Sequence, residues 1–364
     1  MKSWMRYYTD KVDIVPKFSD AEPKVLIYGK AFPCNNYERI GLYHSLYLER
    51  VSSDEPMCNM KFKFSGHETF PCRYAWLPKA FRLLENDPHA FVDEVQAMVD
   101  LGIGKNMFRA LRFWLQATGV AESGEGRSLN ITDFGHALLS SHDPYLEDRR
   151  SLWLLHWKIA THSTEPLFAW YHLLNVWNHP EMSRTQVLPD FEKYALESTG
   201  RVLSPITLIQ HYDMFIRSYV PTHHTKDTVL EDTLDCPLVE LELVQPIGDR
   251  AAADTNRREV IYAFHRDEKP DITAQLFAYA LYEFWCKHAA KEQTLGLRDI
   301  TFAPDSPGQV FKLSEWDIRQ RLHALGEGHD QRFTYKETAA FQLVTRGDTF
   351  TQNQEQEFLA AIYQ

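Results

Sequence analysis

The sequence predicts a mainly α protein (α+β). Helical periodicity dominates after residue 60, strand-like alternation is confined to short runs, and a 44% hydrophobic, 13% aromatic composition over 364 residues supplies enough apolar mass for a large core. Three parts are expected: an N-terminal extension over 1–59, a compact unit over 60–145, and a predominantly helical region over 146–364 with a small sheet around 237–264.

Residues 1–59 contain KVLIYGK, a short strand, and GLYHSLYLERV, a helical piece, with no turn chemistry joining them into a unit. Met60 directly precedes a stretch that reads as a natural beginning, so a chain starting there is expected to fold alone, with the first 59 residues an extension or a small variable element.

The run FSGHETFPCRYAWLPKAF, Phe64 to Phe81, concentrates polar side chains with chemical potential. His67 beside Glu68, with Arg73 and Lys79 close behind, offers a general base and two cations to offset phosphoryl charge. The opposing reading is equally physical: a His-Glu step after Gly66 can cap a helix and hydrogen-bond a buried turn.

The next segment, Phe91 to Ser140, says most. In IGKNMFRALRFWLQATGV, at about 100° per residue, Met107, Leu111, Trp114 and Thr118 share one face, flanked by Phe108, Ala110 and Leu115. Lys105, Arg109, Arg112 and Gln116 form the opposite stripe, with Asn106 beside it. Upstream, DEVQAMVDLG is a short helix with Val95, Met98, Val99 and Leu101 as its apolar residues, turning at Gly102 and Gly104. Downstream lie a strand, a Gly-rich tip carrying Arg127, and a returning strand from Leu129 to Thr132. This order is that of a winged helix-turn-helix. Its basic helix suits the major groove of double-stranded DNA, because phosphates attract the cations and Arg pairs bidentately with guanine. The candidate contacts are Lys105, Asn106, Arg109, Arg112, Gln116 and, from the wing, Arg127. A solvated amphipathic helix is the bland alternative.

Charge agrees. The net charge is −11, yet Met60 to Val120 carries eight Lys/Arg against six Asp/Glu, so any nucleic-acid contact is local rather than spread over the surface.

Beyond the wing, Asp148 to Trp177 is aromatic and helical, and its tryptophans and histidines are expected to pack as core. Helices are expected over Ser183–Arg201 and from Pro205 to Tyr219, the second with proline at its start. Pro189-Asp190 with Glu192-Lys193 superficially suggests a nuclease carboxylate-lysine set, but residues within one helical turn cannot supply ligands from neighbouring strands. Two clusters remain as alternative sites: His223 and His224 with Asp227, Glu231 and Asp232; and His265 with Asp267, Glu268 and Asp271. PLVELELVQ alternates as a strand, expected to pair with Glu259–Phe264; the connection, with Arg250, Arg257 and Arg258, would make a second wing-like unit. Ser314 and Asp317 make a capping box, FTYKETAAFQLVTR closes the core as strand or helix, and the tail after Arg346 is expected to dock late or fray.

Several stretches together, GHETF with RYAWLPKAF, GIGKNMFRALRFW, LHWKIAT, FIRSYVPT, EDTLDCPLVELELVQP and PGQVFKLSEWDIRQRL, resemble the SspB-like family of bacterial single-strand DNA phosphorothioation (Ssp) defence systems, long known only as a domain of unknown function. The likeness runs from about Lys61 to Arg346 and leaves residues 1–59 without a counterpart. It implies a sequence-specific DNA-binding protein that nicks one strand so that a sulfur-transfer partner can modify the backbone. The implied partners are a cysteine desulfurase, an ATPase and an ATP pyrophosphatase-type sulfur transferase. It brings no catalytic motif to carry over. Magnesium is the divalent metal such hydrolysis would use, and no residue set in the sequence assigns it. Two classes stay open: a DNA nicking endonuclease, and a non-catalytic adaptor or regulator that recruits the modifying enzymes.

No Walker lysine, dinucleotide fingerprint or CxxC pair is present, which argues against ATP hydrolysis, nicotinamide chemistry and direct sulfur handling. The five scattered cysteines suggest reduced thiols, and without a span of roughly 18 apolar residues or a secretory apolar core the chain is expected in the cytoplasm.

Overall fold

Trp114, Trp153, Trp157, Trp170, Trp285, Tyr219 and Tyr279 lie with almost no exposed surface at the centre of the fold. The computed structural model describes residues 61–221, 236–251, 258–327, 332–338, 341–347, 350–351 and 354–364, together with four short strands before residue 34. The chain divides into two units. One comprises Met1–Glu55 with Asn178–Pro180, and its described parts are two antiparallel pairs, Tyr8–Thr9 with Val12–Asp13 and Lys24–Ile27 with Lys30–Pro33. The strand expected in KVLIYGK is among them; the helical piece expected over 41–51 lies outside the described residues.

The other unit, Pro56–Trp177 with Glu181–Gln364, is mainly helical with small antiparallel sheets. Its first part runs through helices Trp76–Asn86, Glu94–Leu101 and Lys105–Ala117 into a hairpin, Ala121–Ser123 paired with Leu129–Ile131. Asp93 caps the second helix by accepting from the Val95 and Gln96 amides, and Gly102 ends it at φ 66°, a conformation glycine adopts without steric cost. Its phase differs from expectation. Ala97 and Leu101, four residues apart, turn inward, while Val95 and Val99 are exposed, because the small Ala97 allows a closer approach to the core than a valine would.

Behind this part stands helix Arg149–Ala160, started by Asp148 accepting from the Arg150 amide at 2.8 Å. Leu152, Trp153, Leu154, Leu155, His156, Trp157 and Ile159 are all buried, the signature of a helix surrounded by protein. Each fully buried Leu or Phe of such a core stabilises by about 1.5–3 kcal/mol relative to exposure. As expected, the polar ring atoms here serve packing: His156 bonds the Tyr219 hydroxyl at 2.7 Å and the Val310 carbonyl at 3.0 Å, and Trp170 donates to the same hydroxyl at 2.9 Å. Helices Arg184–Thr199, Pro205–Tyr219 and Ala274–His288 complete the layers around it.

The expected strand in PLVELELVQ is partly wrong. Pro237–Leu241 is a 3-10 helix, Glu242 turns the chain at φ 50°, and the strand is Val244–Ala251, paired antiparallel with Arg258–Phe264. Pro237 lacks the amide a ladder needs, and Leu238 and Leu241, both buried, stand three residues apart, the spacing of a 3-10 turn; on a strand they would face opposite sides. The wing-like reading weakens too, since Arg250 is engaged by Ser183 at 2.9 Å and Arg258 by Asp249; Arg257 lies outside the described residues.

Near the C-terminus, Ser314 Oγ donates to Asp317 Oδ2 at 2.6 Å while the Asp317 amide donates back to Ser314 Oγ at 3.1 Å, the capping box expected there. Phe333–Glu337, Gln342–Arg346 and Thr294–Gly296 form a three-stranded sheet. The tail docks rather than frays: helix Glu355–Ile362 buries Phe358, Leu359 and Ile362, and Glu355 joins a polar network. There Lys158 Nζ donates to Glu283 at 2.6 Å and Glu355 at 2.8 Å, and the Tyr279 hydroxyl donates to both carboxylates. No helix among the described residues is long and apolar enough to cross a membrane.

Candidate nucleic-acid interface

Helix Lys105–Ala117 is built on the side it hides. Phe108, Ala110, Leu111, Phe113, Trp114 and Leu115 are buried, with Phe108 stacked on Phe91 at 5.2 Å and the Trp114 indole donating to the Phe70 carbonyl at 2.9 Å. Its other face divides along its length. Lys105, Asn106 and Arg109, in the first half, are exposed, and their side chains have no partner among the described residues. Arg112 and Gln116, in the second half, are committed to the hairpin: Arg112 donates to the Arg127 carbonyl at 2.7 Å and Gln116 to Ser123 Oγ at 2.8 Å. Burial pulls Arg112 below its ordinary pKa, against the favourable charge of Glu94. Glu94 also pairs with the Arg127 side chain at 3.6 Å, linking the preceding helix to the hairpin tip. The six expected contact residues thus split into three that face outward, two that fasten the hairpin, and Arg127, which fastens the tip while its side chain stays 72% exposed.

The GHETF turn lies behind this helix. Gly66 adopts φ 113°, and a Cβ there would come within 2.8 Å of Phe113 Cδ2, so only glycine fits against the helix. Glu68 and Thr69 follow at φ 47° and 63°, a strained pair held by the Phe70 amide on the His67 carbonyl at 2.8 Å and by Arg217 donating to the Thr69 carbonyl at 2.9 Å. His67 is buried, stacked on His211 with ring centroids 5.6 Å apart and edge-on to Phe113 at 5.7 Å. Its Nδ1 accepts from the Thr69 amide at 3.2 Å, and its Nε2 lies 3.4 Å from His211 Nδ1. Burial, aided by the charge of Arg217, holds His67 down at about 4, and burial with His67 as neighbour holds His211 at about 3. Both rings are therefore neutral near pH 7. Of the four residues expected to share an acid-base role, His67 packs in the core, Arg73 lies over the Trp76 ring at 5.7 Å, and Glu68 and Lys79 are exposed. That arrangement supports the buried-turn reading, with His67 holding the Thr69 amide among aromatic rings; the next helix, Trp76–Asn86, has no side-chain cap.

The other clusters are resolved unevenly. Asp190, Glu192 and Lys193 lie within helix Arg184–Thr199, as expected, and Asp190 meets the buried His172 at 3.2 Å. His265 pairs with Asp267 at 2.9 Å in a turn held from inside by Lys269, which donates to the carbonyls of both residues and which burial lowers to about 8. His223, His224, Asp227, Glu231 and Asp232 lie outside the described residues. Among the described residues no group of three or more His, Cys, Asp or Glu is placed to hold a metal ion. One polar centre escaped the sequence reading altogether: Asp305 with Asn175, Lys287 and His288, brought together from three distant segments.

Comparison with known proteins bears on the whole unit. A family model described as "Protein of unknown function (DUF4007)" matches residues 64–363. Two solved structures, one of magnesium ion-bound SspB and one of SspB, each align with a TM-score of 0.72 at 24% sequence identity, over 84% of this chain and 90% of theirs. At that identity the likeness is one of fold. No curated protein matches the chain.

Proposed function

The chain belongs to the DUF4007 family, and from that premise we propose that it is a sequence-specific duplex-DNA-binding protein of a single-strand phosphorothioation system. Residues Glu94 to Ile131 act as a winged helix-turn-helix that lays helix Lys105–Ala117 in the major groove. One observation carries this reading: the first half of that helix presents Lys105, Asn106 and Arg109 unpartnered beside a hairpin already fastened in place by Arg112 and Gln116. Arg reads guanine and Asn reads adenine through paired hydrogen bonds, while Lys105 and the exposed Arg127 side chain meet phosphates. Rigid support matters because a reading helix that wobbles against its wing loses the geometry bidentate contacts need.

Within such a system we assign the protein the strand-nicking step, in the cytoplasm. It prepares duplex DNA for a cysteine desulfurase, an ATPase and an ATP pyrophosphatase-type sulfur transferase. The packing of His67 favours a second reading, a DNA-bound adaptor that recruits those enzymes without cutting. Binding to a panel of duplexes tests the shared part: Arg109→Ala is expected to cost about 1–3 kcal/mol of affinity and to relax base preference at one position, with thermal stability unchanged. Undiminished binding by the Lys105→Ala, Arg109→Ala double variant would sink the recognition-helix assignment. Nicking of supercoiled plasmid, with and without magnesium, separates nickase from adaptor.

A further inference from the structure

Asp305 is 5% exposed, yet its Oδ2 meets a lysine and a histidine side chain that reach the surface. Lys287 Nζ lies 2.8 Å and His288 Nε2 3.3 Å from Asp305 Oδ2, with those side chains 32% and 23% exposed. The other oxygen is fixed by Asn175, whose Nδ2 donates to Asp305 Oδ1 at 3.3 Å while its own Oδ1 accepts the Asp305 amide at 2.8 Å. The backbone is bent to achieve this. Asp305 sits at φ 61°, a conformation costly for a residue with a Cβ, and Asn175 comes from a π-helical turn, His172–Val176. A simple cap for helix Ala274–His288 would need a carboxylate near its last turn; it would not need a strained one locked by a reciprocal amide pair.

The bonding leaves two functions spare. Lys287 uses two of its three protons, on Asp305 and on the Thr161 carbonyl at 3.0 Å, so one remains for a ligand. His288 donates through Nε2, which leaves Nδ1 as an acceptor. This is how a buried carboxylate orients an imidazole to take a proton.

The centre also adjoins the proposed DNA-reading helix. His162, next to Thr161, feels the charges of both Lys63 and Lys287, and Lys63 lies over the ring of Phe113 in that helix at 5.2 Å.

We propose that Lys287 and His288 are catalytic residues for hydrolysis of a DNA phosphodiester, with Asp305 and Asn175 as their positioning residues. The proposal rests on the reading of duplex DNA as ligand. Lys287 binds a non-bridging oxygen of the phosphodiester. A water oxygen attacks phosphorus as its proton passes to His288 Nδ1. The bond from phosphorus to one deoxyribose oxygen breaks, its electron pair leaves with that oxygen, and the imidazolium returns the proton to it. One water is consumed, giving a hydroxyl end and a phosphomonoester end, and the histidine is regenerated.

The test uses the full chain on supercoiled plasmid, with DNA affinity, melting temperature and the pH dependence of nicking measured in parallel. His288→Gln, which keeps a donor for Asp305 but has no base, is expected to reduce kcat at least 100-fold with affinity within two-fold of wild type. Asp305→Asn is expected to lower kcat about ten-fold with DNA affinity within two-fold of wild type, because the imidazole loses the carboxylate that orients it. Lys287→Gln, whose head group is on the surface and which should fold whatever the fate of the others, is expected to raise KM about ten-fold. Wild-type kcat in His288→Gln overturns the assignment, as does unchanged KM and kcat in Lys287→Gln. A wild-type protein that binds DNA and fails to nick also overturns it while leaving the DNA reading intact; one that binds no duplex overturns both.

Discussion

The molecule holds two histidine centres in opposite ways. His67 and His211 stack on each other inside a shell of Phe64, Phe113, Phe168 and Trp170, with no carboxylate paired to either ring among the described residues. His288 sits at the surface on a buried aspartate, beside a lysine. In the first, burial keeps both rings neutral and the ring area itself stabilises. In the second, Lys287 meets the Asp305 carboxylate and His288 meets it through Nε2. Residue type announces neither role; what lies within 4 Å does.

The sharpest break of this contrast is His211→Ala. Removing a fully enclosed ring from an aromatic shell is expected to cost about 3–5 kcal/mol by denaturant unfolding, where His288→Gln costs little. A loss under about 1 kcal/mol would show the pair to be dispensable packing.

Acid separates the centres next. An unfolded imidazole titrates near 6.5, so His67 and His211, held at about 4 and about 3, take up protons later in the folded chain. Their contribution is full above about pH 6.5 and falls as pH drops toward 4, by up to about 1.4 kcal/mol per pH unit for each ring. His156, which burial also holds at about 4, adds to that step. Asp305 behaves later. Burial opposes its charge, but Lys287 and His288 more than offset this and hold the carboxyl at about 2. Its contribution, about 2 kcal/mol, stays intact above about pH 4 and is lost between pH 4 and 2. Unfolding midpoints measured from pH 7 to pH 2 should show both steps, and Asp305→Asn should erase only the lower one.

The smallest effect carries the same contrast onto the basic helix, where the tied half meets the free half. Arg112→Ala, which loses its bond to the Arg127 carbonyl, is expected to cost about 1 kcal/mol of stability. Arg109→Ala is expected to cost none. Equal melting temperatures for the two would mean that the hairpin is held by something other than Arg112.

The sequence made the basic helix and its hairpin visible because both depend on local signals: 3.6-residue periodicity and glycines at the turns. The Ser314–Asp317 capping box was legible for the same reason. Pro237–Leu241 was not, since Val239, Leu241 and Leu243 alternate with Glu240 and Glu242 as a strand would and only the proline hinted at the 3-10 turn. The polar weight of GHETF was plain, but its role depends on His211, 144 positions away, and no local pattern reports that. The Asp305 centre is the extreme case. Asn175, Lys287 and Asp305 each look like an ordinary surface residue until the π-helical turn and the αL aspartate bring them together.

The docked C-terminal helix sets a clock on biosynthesis. Lys158 finds one of its two carboxylates on Glu355, 197 positions later. At about 5–20 residues per second, a ribosome needs roughly 10–40 s to make that stretch. The apolar surface destined for Phe358 includes Tyr282 and Phe333, so it is complete only once those residues are made and then lies open until the last helix arrives. Chains that stall before the last helix keep that surface exposed, so damaged or truncated messages should yield products that proteases and chaperones recognise, while completed chains close it themselves.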